Sequence, residues 1–367
     1  MKRLALRTVL SVALAVGCSR QEEGEKKASY DDYVYEPVRT ACAYVSLVEK
    51  PDATKVLLLG DEAKKLSSVY ERAGVKPYVT LDGTYDIILM SCGEISSESC
   101  RTAAARLKEN GVMAWMMDVR GVTAGKFRTM VRSFALEGVH LWMPGAGRWV
   151  LVGRKSPRTI KLEAMLDVFA REKAFEDVEK MRCGTLAALF ANYAGTREEI
   201  LPAFSMLPSA DEIRPANFLS SKVGAIGWIS DQGMDRDLAR QILSEVRSMQ
   251  VVRRQVVEGD LMAEKATDKQ GEERATEAWA RSFLRNPNDL FLLERIDRLE
   301  RNAKGFLAVG KVLQAMKCYE TIVLVCPDDA TAVHNFGMCL KKIGKVDLAT
   351  KALQRAEELA KRSRLKN

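Results

Sequence analysis

Short, continuous apolar runs separated by amphipathic stretches dominate the first part of the chain. The runs at Lys55–Leu59 and Tyr85–Met90 are too short for buried helices and are ended by glycine or polar residues, which is typical of strands covered on both faces by helices. The intervening stretches have helical spacing, so the pattern predicts an α/β domain with a mostly parallel sheet over residues 33–155. The ligand crevice of such a sheet lies beyond the carboxyl ends of its strands, where Gly60 and Ser91 fall.

The pattern also places the remaining elements of this domain. The expected strands cover residues 30–49, as one or two short strands, and residues 76–81, while the expected helices cover residues 61–73, 96–109 and 123–136. Asn110 and Gly111 are expected to stop the second of these helices. Val139–Met143 and Trp149–Val152 are expected strands, and Gly145 and Gly147 between them predict that the two strands form an antiparallel hairpin. Residues 156–233 have a mixed pattern, which predicts a helical and irregular extension of the domain.

Residues 234–367 have a helical pattern throughout and carry a repeat. The clearest part, residues 290–363, is similar to tetratricopeptide repeats, in which small residues let paired helices approach and large residues fill the grooves between them. The positions that carry this resemblance in the last unit are Asn335, Phe336, Gly337, Leu340, Gly344, Ala349, Leu353 and Ala356. The resemblance implies a concave face that binds a protein partner, and the alternative is a packing appendage without a ligand.

The spacing of these repeats is uneven. Pro287 and Pro327 end two successive units and are 40 positions apart (327 − 287 = 40), whereas the period of this repeat is about 34 residues. We expect a lengthened turn over residues 303–310 to absorb the difference.

The amino terminus has the organisation of an export signal. Residues 1–7 are basic, residues 8–16 are apolar but too few to span a bilayer, and residues 14–18 resemble a bacterial lipobox. The resemblance implies a lipid on Cys18 and a protein held in the bacterial cell envelope, facing the periplasm, on either membrane. A conventional secretory signal in which Cys18 is incidental is the alternative. Residues 19–32 are rich in Glu and Lys and predict a solvated tether.

Charge and composition exclude several classes of function. The formal net charge is +8, but acidic and basic residues are interleaved, so the sequence lacks the clustered basic face of a nucleic-acid-binding protein. The cysteines after Cys18 are scattered without CxxC pairs, which argues against a disulfide framework and a zinc site. The sequence has two histidines, His140 and His334, which disfavours a histidine-rich metal centre and a Ser-His-Asp or Cys-His mechanism.

Several segments in order resemble the spermidine synthase-like (aminopropyltransferase) family, whose fold is an S-adenosylmethionine-type Rossmann domain. Lys55–Gly60 stands where that family has its nucleotide-loop strand, and Tyr85–Leu89 resembles the strand leading to its catalytic acid. Val139–Gly153 resembles its closing hairpin, and Leu207–Phe218 resembles its terminal Asp-Asp-Arg-Pro segment. The resemblance spans residues 45–225 and implies a crevice for an S-adenosyl nucleoside and a polyamine.

The nucleoside side of this crevice departs from the family. Active relatives have a glycine-rich loop whose backbone approaches the cofactor, whereas here Gly60 is followed by Asp61 and Glu62. The stretch from Gly60 to Tyr85 is also too short for the two strand–helix units that relatives place there. The candidate for the acid that binds the ribose is Asp82, whose Asp-Gly context is equally that of a turn residue.

The catalytic side departs as well. Relatives carry an aspartate directly after the second strand, which accepts a proton from the attacking amine, and a second acid three residues later. The corresponding residues here are Ser91 and Glu94. A serine hydroxyl without a paired base does not take a proton from an amine at neutral pH. These departures imply a vestigial site, for which no cofactor is expected.

Three functional hypotheses follow. The first is a membrane-anchored, non-catalytic scaffold whose repeats bind a protein partner. The second is an aminopropyltransferase or S-adenosylmethionine-dependent transferase acting on a polyamine, with Gly60 and Asp82 around the nucleoside and Glu94 as base. The third is a protein that binds a polyamine without reaction through Asp61, Glu62 and Glu94.

Overall fold

A computed structural model gives the fold of the protein. It describes residues 30–91, 96–145, 147–156, 159–171, 174, 176–177, 181, 185–214, 229–230, 232, 234–287 and 289–366. The predicted signal segment, Cys18, Glu94 and all but the end of the predicted tether lie outside these ranges. Among the described helices, none has both the length and the apolar composition that crossing a membrane requires.

The described chain forms two compact units, Ser29–Val251 with the strands and Val252–Asn367, which is helical. The strands are β1 (Lys55–Leu59), β2 (Lys76–Tyr78), β3 (Tyr85–Met90), β4 (Leu107–Asp118), β5 (Glu137–Trp142), β6 (Arg148–Arg154), β7 (Ile160–Lys161), β8 (Tyr193–Thr196) and β9 (Ile229–Ser230). β7 and β9 pair with each other, and the other seven form one sheet in the order β2-β1-β3-β4-β6-β5-β8.

The sheet has a parallel core and an antiparallel edge. β1 pairs in parallel with β2 and β3, and β3 pairs in parallel with β4. β6 inserts antiparallel between β4 and β5, and β8 pairs antiparallel with β5. The expected α/β class with a mostly parallel core and a closing hairpin is therefore confirmed. β8 has no counterpart in the sequence prediction.

Helices cover this sheet and connect its strands. In chain order they are α1 (Tyr30–Glu49), α2 (Asp61–Lys64), α3 (Ser67–Arg72), α4 (Ser97–Ala104), α5 (Ala124–Ser133), α6 (Leu162–Phe169), α7 (Leu186–Phe190) and α8 (Arg197–Ser205). The expected helix over residues 123–136 is confirmed as α5, and the hydroxyl of Thr123 caps it by accepting a hydrogen bond from the backbone N–H of Lys126.

The expectation of strands over residues 30–49 is wrong, because these residues form the single helix α1. Every residue from Val38 to Glu49 is buried. The helix lies against β3, β4 and β6 and also against α3 and α6. A helix enclosed on several sides has apolar residues all round, so its sequence lacks the polar face that distinguishes a helix from a buried strand.

The expected helix over residues 96–109 ends early, because β4 already begins at Leu107. Asn110 and Gly111 lie inside β4, where its pairing with β3 shifts register. A Cβ on Gly111 would lie 3.1 Å from the carbonyl oxygen of Asp86, so the close approach of the two strands at this bulge favours glycine. The glycine therefore accommodates a bulge and does not stop a helix.

The expected crossover helix over residues 61–73 is divided into α2 and α3. The backbone N–H of Leu66 bonds to the carbonyl of Ala63, three residues earlier, and this tightened turn ends α2. The expected strand over residues 76–81 ends at Tyr78 as β2. One short strand, β2, therefore lies beside β1 at this edge of the sheet.

The helical region consists of antiparallel pairs joined by short connections. Its helices are α9 (Arg236–Lys265), α10 (Lys269–Arg285), α11 (Leu290–Ala308), α12 (Val312–Val325), α13 (Ala330–Lys342) and α14 (Val346–Lys366). α11 and α13 each begin three residues after a proline, Pro287 or Pro327. The pairs α11–α12 and α13–α14 turn at Gly310 and Gly344, whose φ angles are 75° and 80°.

The prediction of a lengthened turn over residues 303–310 is wrong, because residues 303–308 belong to α11. The 40-residue spacing of Pro287 and Pro327 has a different cause. α11 has 19 residues and α13 has 13, and this difference (19 − 13 = 6) accounts for the proline spacing of 40. Gly310 and Gly344 are 34 positions apart (344 − 310 = 34). The extra residues therefore extend a helix and leave the turns alike.

Candidate functional site at the carboxyl ends of the strands

Gly60 directly follows β1 and begins α2 with a φ of 91°, in the region that favours glycine. A Cβ on Gly60 would lie 2.6 Å from the carbonyl oxygen and 2.7 Å from the Oγ of Ser91. Glycine is therefore required here for two reasons, the backbone angle and the close approach of the β1 and β3 ends. The loop that follows β1 therefore lies directly against Ser91.

Ser91 is held in place by both of its polar groups. Its backbone N–H donates to the carbonyl of Leu59 at 2.8 Å, and its Oγ accepts a hydrogen bond from the backbone N–H of Ala63 at 2.8 Å. Amides in the first turn of a helix need an outside acceptor, and serine oxygens supply it well. Ser91 thus caps α2 from the neighbouring strand, and the amide that faces the crevice is already satisfied.

The two carboxylates after Gly60 differ in their surroundings. Asp61 is exposed and lies 3.4 Å from the ammonium of Lys64. Glu62 accepts hydrogen bonds from Arg39 at 3.0 Å and from Lys65 at 2.6 Å. Burial raises the pKa of Glu62, but these two hydrogen bonds outweigh it, so its pKa is lowered. Glu62 therefore joins α1 to α2 as a charged group that is already compensated.

Asp82 is not brought to this edge. It is exposed and lies three residues before β3, at the end of the strand opposite Ser91. Its backbone carbonyl and that of Thr80 accept hydrogen bonds from the hydroxyl of Tyr85, each at 2.7 Å. These contacts make Asp82 a turn residue, and they leave Gly60, Asp61, Glu62 and Ser91 as the predicted residues that the fold brings together.

Sequence reasoning missed a buried ionic cluster around Glu49, the last residue of α1. Its carboxylate lies 2.9 Å from Nδ1 of His140, accepts a hydrogen bond from Nε1 of Trp142 at 3.0 Å, and pairs with Arg154. Burial raises the pKa of Glu49, but His140 and Arg154 outweigh it and lower that pKa to about 2. The cluster joins α1 to β5 and β6. No local motif signals it, since its members are far apart in sequence.

A second buried carboxylate, Asp86 at the start of β3, was also missed. It accepts hydrogen bonds from the backbone N–H groups of Thr54 and Lys55, each at 3.0 Å, and from Lys108 at 2.9 Å. Burial raises the pKa of Asp86, but these donors together lower it by more, so its pKa is below the ordinary value of an aspartate. Asp86 thus ties the amino ends of β1, β3 and β4 together and is far from the crevice.

A cavity of this unit lies away from Gly60 and Ser91. It has a volume of about 480 Å³ and is lined on its polar side by Arg101, Glu137, Arg154 and Lys155. These residues fall at the end of the sheet where β4 begins and β6 ends, opposite the carboxyl ends of β1 and β3. Within the described ranges, no group of three or more His, Cys, Asp and Glu side chains is arranged to hold a metal ion.

Comparison with models of known protein families and with curated proteins found no match for this chain.

Proposed function

We propose that this protein is a lipid-anchored, non-catalytic spermidine synthase-like scaffold of the bacterial cell envelope, whose helical repeats bind a protein partner. The observation that carries the proposal is the contact between Gly60 and Ser91. Gly60 lies against Ser91, at the place where the loop of a cofactor-binding relative would lie against its cofactor. The hydroxyl oxygen of Ser91 accepts the hydrogen bond of the Ala63 backbone N–H.

The sheet order supports the family assignment. The hairpin strand β6 lies between β4 and β5, as the resemblance of residues 139–153 to the family's closing hairpin implies. Beside β1 there is one strand where active relatives place two strand–helix units. The part of the sheet that would bind a nucleoside therefore has fewer elements than in active relatives, as expected for a scaffold that has lost its cofactor.

The chemistry of the strand ends supports the absence of catalysis. Loss of a positioned general base typically lowers a rate by about 10²–10⁴-fold. Ser91 supplies no base, and its Oγ already accepts a hydrogen bond. The nearby Glu62 is compensated by Arg39 and Lys65, which also argues against a polyamine site there, because a polyamine would have to displace two bound cationic groups.

The packing of the last helices supports the tetratricopeptide assignment. A Cβ on Gly337 in α13 would lie 3.0 Å from Cγ of Leu353 in α14, so these helices approach at a small residue as the repeat requires. Ala315, Tyr319 and Ala349 are buried. The matching turns at Gly310 and Gly344 repeat at the expected period.

Calorimetry tests the non-catalytic part of the proposal. The chain from Ser19 onward, which retains every described residue, is titrated with S-adenosylmethionine, its decarboxylated form and methylthioadenosine, with an active spermidine synthase as positive control. We expect no heat of binding from any of the three. A micromolar dissociation constant for one of them would overturn the scaffold interpretation.

Labelling tests the anchor separately. Cells expressing the full chain with labelled palmitate should yield a labelled protein, and the Cys18→Ala variant should not be labelled. Equal labelling of both chains would refute the lipid on Cys18 without affecting the conclusion about the crevice.

A further inference from the structure

The last four helices place two of their turns at the same end. Successive helices from α11 to α14 pack against each other, and short connections make neighbouring helices antiparallel. The α11–α12 and α13–α14 turns therefore lie at one end of the stack, and the α12–α13 connection lies at the other. We call residues 309–313 and 341–348, at the two-turn end, the turn edge.

The turn edge exposes large apolar side chains. The exposed fractions are 66% for Val309, 59% for Leu313, 61% for Val346 and 52% for Leu348. Single exposed apolar residues are common, but a group of them on one surface marks an interaction site. Here the group comes from the interhelical turns, and the first turns of the helices that follow them, in two successive helix pairs.

The same two segments carry exposed lysines. Lys311, Lys341, Lys342 and Lys345 are all exposed, and Asp347 is the one acidic residue in the two segments. The α12–α13 connection at the other end carries Asp328 and Asp329 and no basic residue, and the basic residues toward that end, Lys361 and Arg362, belong to the last turns of α14. The turn edge therefore combines exposed apolar side chains with exposed lysines.

We infer that the turn edge docks on an anionic phospholipid surface. Apolar side chains surrounded by lysines suit a bilayer interface, where the apolar groups enter the boundary with the acyl chains and the lysines meet the phosphates. Val309 follows the last residue of α11, and the other apolar residues lie in the first turns of α12 and α14. Exposed side chains at the end of the helix pairs favour a flat surface over an acidic peptide. This inference does not depend on a lipid at Cys18, because its residues belong to the helical unit alone.

Vesicle flotation tests the inference with the unlipidated chain from Ser19 onward. At low salt the protein should float with vesicles that contain phosphatidylglycerol and remain at the bottom with pure phosphatidylcholine. Each lysine near an anionic surface strengthens binding by about fivefold. The Lys342→Gln/Lys345→Gln variant should therefore bind roughly 20-fold or more weakly, and high salt should weaken binding of the wild type.

The apolar contribution is tested with a matched pair of variants. Leu313→Asp/Leu348→Asp should lose vesicle binding, whereas Leu284→Asp/Leu324→Asp should retain it, although these control leucines are 79% and 60% exposed. Circular dichroism melts confirm that both variants are folded. Equal loss in both pairs, or no preference for phosphatidylglycerol, would overturn the inference. Binding to polyglutamate that matches vesicle binding and survives Leu313→Asp/Leu348→Asp would identify an acidic protein as the partner and refute the lipid surface.

Discussion

The buried cluster around Glu49 predicts a specific dependence of stability on pH. The carboxylate has a pKa of about 2 in the folded protein against 4.5 for an ordinary glutamate, because His140 and Arg154 offset the cost of its burial. A lowered pKa means that the stabilisation is present above about pH 5 and is lost as the pH falls toward the folded value. The whole difference corresponds to about 3 kcal/mol, since one pKa unit is about 1.4 kcal/mol.

Glu49→Gln is the perturbation that isolates this contribution. Roughly 2 kcal/mol of the stabilisation should disappear from the wild type between about pH 6 and pH 3, and the variant should lack this component of the pH dependence. At neutral pH the variant should be less stable by about 3–5 kcal/mol, because it leaves the guanidinium of Arg154 buried without its carboxylate. Glu137→Gln, at an exposed position of the same sheet, should change stability by less than about 0.5 kcal/mol.

Urea unfolding followed by tryptophan fluorescence measures these free energies at a series of pH values. Trp142 reports directly on the cluster, because its indole N–H donates to Glu49. If the wild type and Glu49→Gln lose stability in parallel from pH 6 to pH 3, the charge on Glu49 is not the source of the stabilisation.

Two further predictions concern glycines. Gly60→Ala should lower the unfolding free energy by more than the roughly 1–3 kcal/mol of backbone strain alone, because the new Cβ also meets Ser91. The control Gly74→Ala, with a φ of 74° and nothing within 4 Å of its Cβ, should show the strain alone. Equal losses of unfolding free energy in urea would refute the close approach of Gly60 to Ser91. Gly305→Ala should stabilise α11 by up to about 1 kcal/mol because its Cβ would be in open space. Gly337→Ala should give no such gain because its Cβ would press on α14. Equal gains in melting temperature would contradict the packing of α13 on α14.

The sequence predicts the centre of the sheet well and its covering helix poorly, for one physical reason. β1 and β3 are buried on both faces, and short apolar runs ended by Gly60 and Ser91 leave few other structures available to them. α1 is equally buried but longer, and its lack of a polar face removes the periodicity by which a helix is recognised. The prediction that Gly111 ends a helix is wrong for a related reason. A glycine that allows two strands to approach closely looks the same in the local sequence as a glycine that ends a helix.

The sequence predicts which residues meet at the candidate site, but it does not predict the hydrogen bonds between them. Parallel strands bring their carboxyl ends together, so the proximity of Gly60 and Ser91 follows from the sheet. The hydrogen bond from Ala63 to Ser91 depends on the angle at which α2 leaves β1, which no residue pattern specifies. Glu49 escaped prediction because its partners come from β5 and β6, about a hundred positions away.

The cap that Ser91 forms on α2 also determines how a carboxylate at position 91 would behave. An aspartate at position 91 would receive the same amide of Ala63 and would lie at the positive end of the helix. Both influences favour the ionised carboxylate and so weaken it as a proton acceptor. Ser91→Asp would therefore strengthen the cap on α2 and would place a weakly basic carboxylate at this strand end.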